Sequence, residues 1–172
     1  MAMSLLVSGT LVLATGGLFH VLENQRPLEE IDRTKHLKFD IVVVVLSALM
    51  VAGLTVWLLD GFVRTWLTNN VQLFDVIVSQ PLWLRITLAL VIGDFGYYIA
   101  HRLMHTPPLW RTHVFHHSIQ EIYWFSGLRT SAMNSLIIRL PYLVAMCMFA
   151  IPASAVASIA VGLGLVNFWV HS

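Results

Sequence analysis

Charge is scarce in this sequence. Asp, Glu, Lys and Arg together make up 11% of 172 residues, against 58% hydrophobic residues. A soluble domain carries about 25% charged residues, so the deficit removes the chain from that class. A mean hydropathy of +0.77 and long apolar runs place it among membrane proteins. The formal net charge is +1 and no basic run occurs, which removes the electrostatic basis for nucleic-acid binding. Cysteine is nearly absent: the single Cys147 excludes a disulfide framework within the chain and a cysteine-rich zinc site. Its place in an apolar run makes it a small buried side chain. Internal repeats and low-complexity segments are also missing, and the length suggests one domain.

What is there is apolar length. Residues 4–22 carry no charge before Glu23. No positive segment precedes this run and no small-residue cleavage pattern follows it, so it reads as a transmembrane helix rather than a signal peptide. Pro27 ends that helix within a polar loop holding Arg26, Arg33, Lys35 and Lys38 among acidic residues. Residues 39–59 form a second span, with Asp40 at its edge, where a carboxylate reaches water at modest cost. Pro81 suits the first turn of a third span over 82–104, which Pro107 and Pro108 stop. Residues 105–130 are amphipathic, too polar to span, and are expected to lie against the membrane face. Residues 131–150 and 153–170 form a helical hairpin, with Arg139 and Pro141 predicting a kinked or re-entrant first arm. The expected fold is all-α: a multi-span helical membrane bundle of about four to five transmembrane helices, forming a single membrane domain over 1–172.

Orientation follows from the basic residues. The first loop carries four, residues 102–129 carry three, and the loop between the second and third spans carries only Arg64. Positive segments stay cytoplasmic, so the first loop and the region after the third span are both expected on that side.

Five of the eight histidines fall within residues 101–117. They form an H-x-x-x-H group (His101, His105) and an H-x-x-H-H group (His113, His116, His117). Buried imidazoles need partners for their ring nitrogens, so this density points to a metal. Residues four apart share a helix face, which lets His101 and His105 aim at one point. The same stripe runs back through Tyr98 to Asp94, whose carboxylate would accept the N–H of a ligating imidazole and fix its tautomer. Five imidazoles exceed the need of one tetrahedral zinc, and two metal ions suit the number better. Imidazole serves iron, zinc and copper alike, so the ligand type does not choose among them. His20 and His36 read as an interfacial and a solvated side chain.

Asp94, Tyr98, His101, Arg102, His105, Trp110, His113, His116, His117 and Ser118 together resemble the first two histidine boxes of the fatty acid hydroxylase/sterol desaturase superfamily. The resemblance covers residues 82–172, and it is specific in the boxes because order, spacing and flanking residues agree. It implies an integral membrane di-iron oxidoreductase that uses O₂ to hydroxylate or desaturate a sterol, fatty acyl or related lipid in lipid biosynthesis. No catalytic side chain is assigned beyond the metal ligands. Electrons would come from a separate donor of cytochrome b5 or ferredoxin type. It further matches His171 to the isolated ligand that this family carries at the end of a transmembrane helix, with Asn167 on the same face to orient it. The proposed ligand set is therefore His101, His105, His113, His116, His117 and His171 for two iron ions, with Asp94, Tyr98 and Asn167 in support. The family's third H-x-x-H-H box would lie beyond His171. Its absence leads to the expectation that these residues are the N-terminal part of a longer fatty acid hydroxylase domain, possessing most of a two-metal site. Two other readings use the same residues: a membrane metal-binding or metal-transport protein, and an inactive remnant of the family. A transporter places ionisable groups at mid-membrane along its pathway, whereas these clusters fall at helix ends, which favours the enzyme.

Overall fold

The computed structural model describes residues 2–25, 34–57, 61, 64–70, 72, 74–119 and 122–170. Among these residues the chain is all-helical: α1 (Ala2–Gln25), α2 (Thr34–Val56), α3 (Arg64–Asn70), α4 (Phe74–Val78), α5 (Leu82–Met104), α6 (Pro107–His113), α7 (Ala132–Met148) and α8 (Ala153–Val170). Two short 3₁₀ turns, His116–Ser118 and Ser126–Leu128, lie between α6 and α7. The helices reproduce the apolar runs of the sequence. Among the described residues, α5 is the one helix long and apolar enough to cross a membrane. Pro107 and Pro108, expected to stop α5, also open α6, where the fixed φ of proline suits a first turn. α7 is continuous from Ala132 to Met148 with Pro141 inside it.

Packing groups these elements into two compact units. One comprises Met1–Val44, Phe115–Thr130 and Pro152–Ser172, and α1 against α8 forms its frame. Trp124 is the aromatic centre. Its ring meets Phe168 edge-on at 5.4 Å, and Phe168 meets Phe19 in the same way at 6.1 Å. Gly16 allows this approach, because a Cβ there would lie 2.6 Å from the Trp124 ring. The backbone N–H of Trp124 donates to Glu23 at 2.7 Å. Asp40 is also in this unit, and here the structure departs from the sequence reading. Its carboxylate is 2% exposed and pairs with Arg129 at 3.3 Å instead of reaching water. The Arg129 guanidinium also lies over the Phe115 ring, 4.8 Å from its centroid, so stacking supports the charge pairing.

The other unit comprises Val45–Val114 and Ser131–Ile151 and is built on antiparallel α5 and α7, its most extensive helix pair. A stripe of small residues on α5, Ala89, Gly93 and Gly96, makes the approach possible. A Cβ on Gly93 would fall 2.5 Å from Tyr142, and one on Gly96 would fall 2.6 Å from Pro141. Backbone proximity of this kind is how helices associate where water gives no hydrophobic drive between them. At the far end α7 closes in a Schellman motif. Ile151 N–H donates to Met146 and Ala150 N–H to Cys147, with Ala150 at φ 46° in the left-handed region. Arg85 of α5 donates to the last two free carbonyls, Phe149 at 3.2 Å and Ala150 at 3.0 Å, where a cation also complements the helix dipole. Cys147 is buried in this core, as its apolar setting suggested. The opposite end of the α5–α7 pair carries the histidines.

Candidate metal centre

His101 occupies the last turn of α5 and His105 is its C-cap. One helical turn brings their rings parallel, 5.1 Å apart, and their Nε2 atoms to 3.1 Å. Metal–nitrogen bonds of ~2.0–2.1 Å place neighbouring ligand nitrogens about 2.9–3.4 Å apart, from octahedral to tetrahedral angles. The observed separation lies within that range. Two donor nitrogens at this distance suit a shared cation.

His113 ends α6 and joins them. Its ring stands edge-on to both other imidazoles, 4.8 Å from each at 76°. The ligand nitrogens of His101, His105 and His113 all lie within 4.8 Å of one another. Trp110 closes one flank, tilted against His105 at 5.7 Å. The three imidazoles differ in exposure: His105 is open, His101 half-buried and His113 1% exposed. His113 Nδ1 is bound to Asn134 Oδ1 at 2.7 Å. An amide oxygen only accepts, so this contact is made by the tautomer with its proton on Nδ1. Burial holds His113 below the ordinary imidazole range; the Asn134 hydrogen bond opposes that shift and nearby His105 reinforces it. The neutral form, which a metal ligand requires, is favoured.

His116 and His117 belong to the 3₁₀ turn His116–Ser118 of the other unit, with ring centroids 5.4 Å apart. His116 Nδ1 donates to the Arg129 carbonyl at 3.1 Å. His117 is exposed. Asn167 lies in the last turn of α8, and His171 falls outside the described residues.

The supporting residues differ from those read on the stripe. Asp94 accepts a hydrogen bond from Tyr142 at 2.9 Å rather than from an imidazole, tying α7 to α5. Tyr98 accepts from Arg102 at 3.0 Å. The partner of His101 Nδ1 is Tyr97, at 3.3 Å, one position away from the residue expected. Asn134, Arg129 and Tyr97 are the contributors that sequence reasoning missed. Tyr97 had a signal, because it stands four residues before His101. Asn134 and Arg129 had none, since they lie 21 and 13 residues from the imidazoles they hold.

The family model described as fatty acid hydroxylase matches residues 86–172, half of the chain. The chain belongs to the fatty acid hydroxylase family. The match takes in both histidine groups and α7, which supplies Asn134. A stretch of 57 residues is 46% identical to ornithine lipid hydroxylase OlsE of Rhizobium tropici, covering 33% of this chain and 17% of that protein. No solved structure matches the chain. Membership supports an oxidoreductase of the lipid-hydroxylating kind at the level of the family.

Proposed function

We propose that this family member is a membrane-bound, iron-dependent hydroxylase of a lipid. The observation that carries the reading is the convergence of His101, His105 and His113, with two Nε2 atoms 3.1 Å apart. His101, His105 and His113 hold one iron. His116, His117 and His171 contribute to a second, on the pattern of the family boxes and on the short chain distance from His113 to His117. Iron supplies O₂ activation for oxidising an unactivated C–H bond.

The chain's own residues position and enclose. Tyr97 and Asn134 hold the Nδ1 atoms of His101 and His113, so that neither ring is free to rotate away. A cleft of about 420 Å³ runs along α5, lined by Asp94, Tyr97, Tyr98, His101 and Arg102. It carries both charge signs, and we assign it to the polar part of the lipid. The name of the Rhizobium relative makes an amino-acid-headed lipid the first substrate to try. The outward face of α5 presents Val91, Ile92 and Phe95, a surface suited to acyl chains. α1, α2, α7 and α8 complete a multi-pass membrane domain with the histidines on the cytoplasmic side, and a separate cytochrome b5 or ferredoxin-type donor supplies electrons.

The test is expression in a membrane with candidate lipids under ¹⁸O₂. The expected result is lipid carrying one labelled oxygen, dependent on His101. Metal uptake into proteoliposomes without any lipid oxidation would instead favour a metal-transport protein.

A further inference from the structure

Asn134 is 1% exposed on the first turns of a helix, where its type is costly twice over. Asparagine is a poor helix former, and a buried amide without a partner costs about 1–3 kcal/mol. Its surroundings show what the amide does. Ser131 is the N-cap of α7, and its Oγ accepts the Asn134 backbone N–H at 3.1 Å. In the usual arrangement the third helical residue would turn its side chain back onto the cap. Here the Asn134 side chain points instead at His113 Nδ1, 2.7 Å away. The Ser131 hydroxyl donates its own proton to the Thr112 carbonyl at 2.8 Å, the residue directly before His113. The start of α7 thus grips the end of α6 at two adjacent points, one on the backbone and one on the imidazole.

We propose that Asn134, set in place by Ser131, is the positioning residue of His113: its amide oxygen accepts the Nδ1–H hydrogen bond, so that Nε2 is the nitrogen through which the imidazole ligates. This goes beyond the assignment of ligands, because it makes the tautomer of a ligand depend on a residue of another helix. It rests on the metal-site reading in the second of its two tests only.

The first test needs no metal. In the full chain in detergent micelles with ¹⁵N-labelled histidine, His113 gives the Nδ1–H tautomer. Asn134→Leu, which is close in volume and has no acceptor, converts it to a mixture of tautomers. The second test is anaerobic equilibrium dialysis against ferrous iron alone. Loss of such a supporting partner weakens metal binding about 10–100-fold, and that loss is expected for Asn134→Leu. Asn134→Asp keeps the acceptor and discards the amide N–H₂, and is expected to preserve both tautomer and affinity. The inference is overturned if Asn134→Leu leaves tautomer and affinity unchanged. It is equally overturned if Asn134→Asp, folded, behaves as Leu was expected to, because the amide would then act as a donor. Should Asn134→Leu fail to fold, the Asp variant decides. Should the wild-type chain retain no iron, the metal-site reading fails and the tautomer test alone decides the positioning role.

Discussion

His101 and His105 on one side, and His113 and His116 on the other, reach comparable chemistry by different physical routes. The first pair stands on a regular helix, and its geometry follows from a spacing of four residues on a 3.6-residue turn. The second pair follows two prolines, in a helix of seven residues and a single 3₁₀ turn. Short segments of this kind do not hold themselves in place. Their imidazoles are fixed by acceptors drawn from residues 129–134, one a backbone carbonyl and one a side chain. Local periodicity secures one half of the histidine set and long-range contacts secure the other.

The largest effect that would break this comparison is loss of a ligand. His101→Ala and His113→Ala should each lower retained iron at least tenfold, measured on protein purified in detergent. Unchanged content in both variants would remove the metal from the argument. Next comes Asp40→Ala. It strands the Arg129 cation, and breaking a buried pair costs about 3–5 kcal/mol, read by denaturant unfolding. Because Arg129 also supplies the carbonyl for His116, the His116 resonance should broaden while the His101 resonance stays sharp. If both respond equally, the two routes are not separable.

Gly93→Ala tests the helix pair. The new Cβ would lie 2.5 Å from Tyr142, and overpacking costs about 1–3 kcal/mol. Gly17→Ala, with nothing within 4 Å of its Cβ, should instead stabilise by about 0.5–1 kcal/mol. A thermal shift of the same sign in both would discount the close approach. The smallest effect is Ala150→Gly, which relieves the left-handed φ of 46° and should stabilise by about 1 kcal/mol, with iron content unaffected.

Much of the candidate site was legible in advance for a stated reason. His101 stands in the last turn of α5 and His105 caps it, so residue spacing alone sets the distance between the two rings. Asp94 and Tyr98 share that stripe, yet their actual partners, Tyr142 and Arg102, could not be inferred from it. The stripe gives a face of the helix and not what packs there. Asp40 misled because an acidic residue at the edge of an apolar run normally meets water. Arg129, 89 positions away, is what makes its burial tolerable. Pro141 lies inside α7 with its ring against Gly96, a contact that residue spacing does not reveal.

By itself, then, the sequence determined the helical class, the apolar segments, the family boxes and the histidine pair at the end of α5. All of these depend on composition or on spacings of a few residues. Only the tertiary structure decided which side chain meets His113, which partner balances Asp40, and why α5 carries glycine at 93 and 96. Each of those answers requires two segments far apart in the chain to meet. A hydrogen bond of 2.7 Å between residues 113 and 134 exists only once α6 and α7 have packed.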